Sequence, residues 1–346
     1  MNEKYTSGNL VRCVFNVEDM KFLILNTTDP YINLATEEYF FNVTNEEVFM
    51  LWQNEPTVVI GKNQNAFAEI NTDIINKNGI HVARRITGGG AVYHDLGNVN
   101  FTFISSRGNG QVLDFPFFTA PIIEALAELG VHAELSGRND ILVNGKKVSG
   151  NAEHSSNGRV LHHGTLLFDT DISMLSSTLK VDREKIETKA VKSVSARVTN
   201  LKPLLNKELS VGEFINTVSE FVIKKYSPEI LAAPSIQELA SYYDRLRSEE
   251  WIFPQREILT DYKIKCRRRF DFGGVEIEMN ISEDVIANVK ISGDFFGSSN
   301  IRELEEKLCG LSLTTIDFAL ESINIGDYIH GMTNQSFISL IKEKAE

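Results

Sequence analysis

The stretch RRITGGGAVYHD (Arg84–Asp95) sets three consecutive glycines between two arginines and a short strand-like segment. Glycine lacks a Cβ, so a run of glycines weakens helices and strands and is found where the backbone takes a positive φ or closely approaches a ligand. The adjacent arginines suggest a phosphate as that ligand, and a flexible loop between two strands is the alternative. The sequence contains neither GxxxxGK[ST] nor GxGxxG, which excludes a P-loop and a Rossmann fingerprint.

The composition predicts a soluble globular protein with one large domain and one smaller domain. The chain has 346 residues, of which 42% are hydrophobic and 24% charged, and it lacks the roughly 18 uninterrupted apolar residues of a membrane span. Its net charge of −12 argues against a nucleic-acid partner, because such binding depends on basic surface. The polar start MNEKYTSGNL has no apolar signal core, and the three cysteines are far apart, so we expect a reducing, cytoplasmic location and no disulfide scaffold.

Helix and strand signals alternate through the first part of the chain. Asp29 as N-cap and Pro30 at the first helical position predict a helix. VFMLW and TVVIG read as buried strands joined in a hairpin by QNEP. IHVARRI and VNFTFIS are further strands, PIIEALAELG is a helix ended by Gly130, and residues 171–245 are predicted to be mostly helical.

The pattern changes towards the C-terminus. RRRFDFGGVEIEMNI and VIANVKISGDFF resemble strands and are followed by two helical stretches, which predicts a small α+β domain. We therefore place a domain boundary near residue 260, which gives a larger domain at residues 1–260 and a smaller domain at residues 261–346. The basic run KIKCRRRF is interpreted as a solvated strand or a domain junction.

Two Asn-Gly pairs lie in Ser136–Asp169, and each predicts a two-residue hairpin turn. A turn at Asn144-Gly145 puts Leu142 opposite Lys147 and Asp140 opposite Ser149. Alternation along the strands then places these four residues on one face and a buried apolar set on the other. Lys147 would project from a rigid hairpin beside a carboxylate, and an ordinary surface lysine is the alternative.

The histidines separate into two groups. His162 and His163 are adjacent, so in a strand they face opposite ways and cannot bind one metal together. His94 and His163 lie inside the unusual segments and are candidate site residues. The others are interpreted as core or surface residues, namely His162, His81, His132 and His330.

Six motifs, in a fixed order, resemble those of the lipoate-protein ligase A family. They are LWQNEPTVVIGKNQN, ARRITGGGAVYHDLGNVNFTF, SGRNDI, KKVSG, HHGTLLF and SARVTNL. The resemblance extends from about Lys21 to the C-terminus. It implies a mixed α/β fold, with a catalytic domain like those of biotin and lipoate protein ligases, related to class II aminoacyl-tRNA synthetases, and a small α+β C-terminal domain.

The resemblance also implies a two-step reaction. Lipoate and ATP give lipoyl-adenylate and pyrophosphate, and the lipoyl group then passes to a lysine of an acceptor protein. Lys147 corresponds to the family's essential lysine. The nucleotide and substrate site is expected to comprise Arg85, Gly88, Gly89, Gly90, Ala91, Val92, Tyr93, Trp52, His94, Asn139, Asp140 and His163.

Charge explains why such residues suit this reaction. An anionic carboxylate must attack an anionic α-phosphate, so cations and N–H donors are needed more than a protein nucleophile. We expect the glycine loop and Arg85 to reach the phosphates, and Lys147 to contact both the lipoate carboxyl group and the α-phosphate. Asp140 would either orient Lys147 or help to bind Mg²⁺, and the apolar tail of lipoate would lie near Trp52 and Val58.

A related octanoyl or lipoyl transferase, which takes the acyl group from a carrier protein or a pre-made adenylate, is the main alternative. The cysteine-dependent forms need a thiolate in the catalytic domain, and the sequence has no cysteine between Phe15 and Lys265. A biotin ligase and a non-catalytic binding module are further alternatives. The expected acceptors are lipoyl domains of 2-oxoacid dehydrogenase acyltransferase subunits or the glycine-cleavage H protein, and we expect a monomer.

Overall fold

The computed structural model describes residues 20–106, 113–180, 196–254 and 261–345. The strands are β1 (Met20–Ile24), β2 (Glu47–Trp52), β3 (Thr57–Ile60), β4 (His81–Arg84), β5 (Val92–His94), β6 (Asn98–Ser105), β7 (Glu134–Ser136), β8 (Asp140–Val143), β9 (Lys146–Ser156), β10 (Arg159–Leu167), β11 (Glu229–Ile230), β12 (Ile264–Phe270), β13 (Gly273–Ser282) and β14 (Val285–Gly293). The helices are α1 (Pro30–Val43), α2 (Ala66–Glu69), α3 (Thr72–Asn78), α4 (Phe115–Glu128), α5 (Ile172–Thr178), α6 (Val211–Tyr226), α7 (Ile236–Leu246), α8 (Glu249–Ile252), α9 (Ile301–Leu308), α10 (Ile316–Ala319), α11 (Ile325–Tyr328) and α12 (Asn334–Ala345).

An eight-stranded sheet in the order β11-β1-β2-β6-β10-β9-β8-β7 forms the centre of the larger part. Its apolar residues pack against α4 and α6 on one face and against α1 and α7 on the other. Strand β10 lies between β6 and β9, and all nine of its residues are buried. Because neighbouring residues of β10 point to opposite faces, this strand can connect groups on both sides of the sheet.

The predicted helix ends are confirmed. The Asp29 carboxylate accepts hydrogen bonds from the N–H groups of Tyr31 and Ile32 at 2.8 and 3.1 Å, so it caps α1. Gly130 follows α4 with φ +78°, the left-handed conformation that ends many helices. Helix α4 starts earlier than predicted, at Phe115.

The predicted hairpin between VFMLW and TVVIG is wrong. Both segments are buried strands, but β2 pairs with β1 and β6, whereas β3 pairs with β4 and β5 in a separate three-stranded sheet. The turn between them is held by Asn33, whose side-chain amide donates to Gln53 O and Asn54 Oδ1, both at 2.8 Å. These bonds direct the chain out of the large sheet.

Both Asn-Gly turns are confirmed. Asn144 and Asn157 have φ +51°, and the glycine after each has φ +75°, as a type I′ turn requires. Leu142 lies opposite Lys147 as predicted, but Asp140 pairs with Gly150 and not with Ser149. The register shifts by one residue next to Leu142, so a β-bulge moves Ser149 into the buried interior, where it is 0% exposed.

The last part of the described chain forms the expected strands and helices. Strands β12, β13 and β14 make an antiparallel sheet, and α9 and α12 pack on it around their own apolar core. The basic run KIKCRRRF lies mostly in β12. Residues 171–180 and 196–245 contain helices α5, α6 and α7, while residues 181–195 of the predicted helical region lie outside the described residues. No helix in the described ranges is long and apolar enough to cross a bilayer.

Candidate active site

Lys147 and Asp140 form an ion pair at the corner between β8 and β9. Lys147 Nζ lies 2.7 Å from Asp140 Oδ1, and the two side chains are 32% and 31% exposed. The bulge sets Gly150 opposite Asp140, and a Cβ at Gly150 would lie 2.7 Å from Lys147 Nζ. The ammonium group therefore lies over bare backbone, with a carboxylate on one side and solvent within reach.

The backbone of Lys147 is fixed by the segment SARVTNL. Its N–H donates to Arg197 O at 2.8 Å, and its carbonyl accepts from Thr199 N at 2.9 Å. Strand β8 holds it on the other side through Leu142. The lysine is therefore anchored at its backbone while its side chain remains half-exposed.

Asn139 and Asn151 lock the corner that precedes Asp140. The Asn139 amide donates to Asn151 O at 2.5 Å, while Asn151 donates to Asn139 O from its backbone at 2.9 Å and from its side chain at 3.0 Å. Three hydrogen bonds between two residues leave this corner little freedom. Asn139, Asp140 and Lys147, predicted as site residues, are thus brought together.

The glycine loop is organised by Arg85, which is 5% exposed. Its guanidinium donates to Thr87 Oγ1 at 2.8 Å and to the carbonyls of Val59, Gly88 and Gly90 at 3.2, 2.7 and 2.8 Å. Burial lowers the pKa of Arg85 to about 10, which still leaves it charged at neutral pH. A buried guanidinium with four hydrogen bonds to neutral oxygens fixes the shape of the loop.

The glycines of this loop approach other backbone closely. A Cβ at Gly88 would lie 2.3 Å from Phe295 O, and the Gly89 N–H donates to the same carbonyl at 3.4 Å. Gly89 has φ +87°, which disfavours other residues. The bare backbone is thus partly explained by contact with Phe295 and Phe296 of the C-terminal part.

A buried hydrogen-bond chain runs from Trp52 to the glycine loop. Trp52 Nε1 donates to Thr102 Oγ1 at 2.9 Å, and Thr102 donates to Glu37 Oε1 at 2.5 Å. His163 Nδ1 lies 3.0 Å from Glu37 Oε1, and its Nε2 lies 2.8 Å from Thr87 Oγ1. Since Thr87 also accepts from Arg85, this chain connects Trp52 and His163 to the loop.

His94 offers a buried donor next to Trp52. Asn54 Nδ2 donates to His94 Nδ1 at 3.1 Å, because Asn54 Oδ1 is already occupied by the Asn33 amide. Burial lowers the pKa of His94 to about 3, so the ring is neutral and carries its hydrogen on Nε2. Nε2 has no hydrogen-bond partner among the described residues, and the ring lies 6.1 Å from the Trp52 ring.

The residues after the glycines lead from the loop into strand β5. Gly90 and Ala91 are half-buried, and Val92, the first residue of β5, pairs with Val59. Tyr93 is 3% exposed, and burial raises its pKa to about 12. These residues border the loop, and His94 ends the strand.

Several residues of this arrangement were not predicted from the sequence. Glu37 is the most informative, because it is a buried carboxylate in α1 that contacts both Thr102 and His163. The signal was present as two consecutive glutamates, Glu37 and Glu38, in a helix otherwise rich in apolar residues. His162, predicted to be a core or surface residue, is 0% exposed and has hydrogen-bond partners at both ring nitrogens.

Comparison with known proteins identifies the family. Residues 29–222 match the model of the lipoyl protein ligase A/B catalytic domain, and residues 260–341 match that of the bacterial lipoate protein ligase C-terminus. The chain belongs to the lipoate-protein ligase family. It is 38% identical over 328 residues to the lipoate-protein ligase LplJ of Bacillus subtilis, covering 91% of this chain and 98% of that protein. Lipoate-protein ligation, the activity expected from the motifs, is thereby confirmed.

Solved structures of lipoate-protein ligases share the fold. P. falciparum LipL1 in complex with lipoate matches 94% of this chain and 98% of its own, with a TM-score of 0.74 and 26% identity. A lipoate-protein ligase A bound with ATP matches 68% of this chain and 98% of its own, with a TM-score of 0.57 and 26% identity. A bipartite ligase from Thermoplasma acidophilum, studied with its E2 lipoyl domain, matches 68% and 96%, with a TM-score of 0.61 and 29% identity. The predicted mixed α/β ligase fold is confirmed.

Proposed function

We propose that the Lys147 corner and the glycine loop form the site in which lipoate is activated by ATP and then transferred. The observation that carries this proposal is the Lys147 ammonium, held 2.7 Å from Asp140 over the bare backbone of Gly150 and a third exposed. The Lys147 backbone is fixed, but its ammonium can move over a short distance. It can therefore contact the negative charge of the reacting oxygens in both steps of the reaction. The ligase bound with ATP and the ligase in complex with lipoate support the choice of substrates.

Two steps follow from this chemistry. A lipoate carboxylate oxygen forms a bond to the α-phosphorus of ATP as the bond to pyrophosphate breaks, and Lys147 lowers the repulsion between the two anions. The amine of the acceptor lysine then attacks the acyl carbon, AMP leaves with the electron pair of the C–O bond, and the amine loses a proton. Lys147 stabilises the oxyanion that forms in this second step.

We propose that the loop acts through its shape. Arg85 holds Gly88 and Gly90 by their carbonyls, and the backbone N–H groups of a loop held in this way would bind a phosphate, as in other anion-binding backbone concavities. The guanidinium itself is directed at loop oxygens in this structure. Contact of Arg85 with phosphate stays a prediction.

We propose that the lipoyl tail lies against Trp52 and Val58. Both are buried, at 3% and 0% exposure, and Trp52 is held in one orientation by Thr102. The free Nε2–H of His94 beside the indole gives a single directional donor in this apolar region. The buried indole beside one directional donor supports this placement of the lipoyl tail.

We propose that Asp140, besides orienting Lys147, helps to bind Mg²⁺. Among the described residues no group of three His, Cys, Asp or Glu side chains could hold a metal, but Mg²⁺ is commonly held by one or two carboxylates together with substrate phosphates. Asp140 Oδ1 contacts Lys147, which leaves Oδ2 for a cation. When bound there, Mg²⁺ would neutralise phosphate charge.

We propose a boundary near residue 260, with a catalytic domain before it and an accessory domain after it. The separate sheet and core of the C-terminal part support this division.

We propose lipoyl domains of 2-oxoacid dehydrogenases or the H protein as acceptors, since an archaeal ligase was studied with its E2 lipoyl domain. The exposed free thiol of Cys309 suits a reducing cytoplasm.

A thiol-dependent transferase finds no support in the site. Cys266 is buried in β12 and Cys309 follows α9, so both belong to the C-terminal part. The sequence between Phe15 and Lys265 contains no cysteine. Among the described residues, no thiol therefore lies in the part of the chain that carries Lys147.

ATP–pyrophosphate exchange with and without lipoate, followed by mass spectrometry of an added H protein and an added lipoyl domain, tests the proposal. We expect lipoate-dependent exchange and a mass increase of one lipoyl amide on at least one acceptor. Transfer from synthetic lipoyl-adenylate or an acylated carrier without any exchange would contradict activation by ATP.

A further inference from the structure

A second buried hydrogen-bond chain runs from the start of α4 to the Lys147 corner, on the side of β10 opposite His163. Glu153 Oε2 accepts from Asp114 N at 2.8 Å, and Glu153 Oε1 lies 2.7 Å from His162 Nδ1. His162 Nε2 lies 3.3 Å from Asn151 Oδ1. Glu153, His162 and Asn151 are 2%, 0% and 3% exposed, so bulk solvent does not reach these groups.

The direction of these hydrogen bonds is fixed by Asn151. Its amide nitrogen donates to Asn139 O at 3.0 Å and to Ser149 Oγ at 3.2 Å. The amide oxygen must therefore face His162, and His162 Nε2 must carry a hydrogen. A further proton lies between His162 Nδ1 and Glu153 Oε1, because two lone pairs at 2.7 Å would repel each other.

Aromatic rings hold the imidazole in place. Phe101 and Phe118 stack on it with centroids at 5.9 and 5.0 Å, and Phe115 meets it edge-on at 5.7 Å. Gly164 makes room for this packing, since a Cβ there would lie 2.3 Å from Asn151 Oδ1 and 2.4 Å from Phe101 Cζ. Among the described residues, the hydrogen-bond partners of the ring are Glu153 and Asn151.

We propose that His162 and Glu153 are positioning residues for Lys147. They fix the Asn151 amide, Asn151 fixes Asn139 through three hydrogen bonds, and Asn139 precedes the carboxylate that holds the Lys147 ammonium. The inference rests on the proposed role of Lys147 in the reaction. It gives the adjacent histidines parallel tasks, since His163 orients the glycine loop through Thr87 and His162 orients the lysine corner through Asn151.

A purely structural role for His162 makes a different prediction. If the ring only fills space among phenylalanines, His162→Phe should retain full activity once folded. If the Nε2–H is needed to orient Asn151, the same variant should fold and lose activity. A shift of about 1 Å in a reacting group can lower a rate on the order of 100-fold.

The experiment measures kcat and KM in lipoate-dependent ATP–pyrophosphate exchange, together with the melting temperature. We expect His162→Phe to lower kcat about 10- to 100-fold while the KM for ATP and lipoate changes less than about threefold. Glu153→Gln should keep kcat within about threefold of the parent, because its amide can donate to Nδ1 and its oxygen can accept from Asp114 N. Phe214→Leu, a control in the same apolar core that stacks on Phe168 and not on His162, should lower the melting temperature and leave kcat nearly unchanged.

Asn151 supplies a test that leaves the aromatic cluster intact. Asn151→Ser should lower kcat as His162→Phe does, and the double variant should be no worse than the poorer single variant, because both break one chain. The inference would be overturned if the fold-loss in kcat of the double variant equalled the product of the two single losses. A His162→Phe variant with parental kcat would also overturn it. Lys147→Ala separates the two claims: an active Lys147→Ala variant refutes the proposed role of Lys147, whereas an inactive one beside a fully active His162→Phe refutes only the role of His162.

Discussion

Arg85 and Lys147 are two cations of the proposed site, and they are held in opposite ways. The Arg85 guanidinium is buried and bound to four oxygens of Val59, Thr87, Gly88 and Gly90. The Lys147 ammonium is a third exposed and contacts one carboxylate. The rigid fork of arginine suits the first task, and the rotatable donors of lysine suit the second.

The difference shows that a charged side chain near a site can either hold the surrounding backbone in shape or contact the reacting groups. Arg85 gives the loop its shape, so its loss should appear first in stability. Lys147 contributes few contacts to the fold, so its loss should appear in catalysis. The two residues can therefore be separated by measuring folding and turnover in matched variants.

Arg85→Met and Lys147→Met should differ strongly in stability. Removing Arg85 leaves buried carbonyls without donors, and we expect the free energy of unfolding to fall by about 3–4 kcal/mol. Lys147→Met should change it by less than about 1 kcal/mol, because the ion pair is partly exposed. Urea unfolding followed by circular dichroism measures the free energy of unfolding of both variants. Equal decreases would contradict the different roles assigned to Arg85 and Lys147.

The pH dependence of stability tests the buried histidine beside Trp52. The pKa of His94 falls from 6.5 to about 3 on folding, so between these values the unfolded chain binds a proton that the folded chain does not. The stability that His94 contributes is complete above pH 6.5 and is lost as the pH falls, by roughly 2 kcal/mol at pH 5. His94→Gln keeps an acceptor for Asn54 and cannot titrate. The free energy of unfolding of this variant should therefore fall by roughly 2 kcal/mol less than that of the parent between pH 7 and pH 5.

Two glycine substitutions should separate the loop from the corner on a smaller scale. Gly89→Ala places a side chain at φ +87° and close to Phe296, and we expect a loss of about 1–2 kcal/mol in stability. Gly150→Ala puts a Cβ 2.7 Å from Lys147 Nζ, so it should displace the flexible ammonium, with little effect on stability and a fall in turnover of about tenfold. Melting temperatures and exchange rates of the two variants check these expectations. A larger loss of stability in Gly150→Ala and a larger loss of turnover in Gly89→Ala would contradict the assignment of stability to the loop and catalysis to the lysine corner.

Local signals in the sequence predicted much of the fold. The Asp29-Pro30 helix start and the two Asn-Gly turns depend on residues next to each other in the chain, and they are confirmed. The hairpin between β2 and β3 failed because both strands are continuously buried, so alternation could not reveal their partners. The partners of β2 are β1 and β6, and β6 lies about fifty residues further along the chain.

The sequence motifs predicted which residues lie in the candidate site, but they did not predict the hydrogen bonds that connect these residues. The side chain of Lys147 was correctly placed next to Asp140, but the bulge that sets Gly150 opposite Asp140 has no marker in the sequence. Glu37 contacts His163 across 126 positions, and a single sequence does not reveal such a pair. His162 looked like an ordinary core residue because its partners, Glu153 and Asn151, lie on the neighbouring strand.

Lipoate-dependent ATP–pyrophosphate exchange by Lys147→Ala, beside Lys146→Ala, tests the central claim most directly. Lys146 is the exposed neighbour on the same strand, so the pair controls for loss of one positive charge near the turn. We predict that Lys147→Ala loses at least about 100-fold in exchange rate with an unchanged melting temperature, while Lys146→Ala stays near the parent. Near-parental exchange by a folded Lys147→Ala variant would contradict the assignment of activation to this lysine.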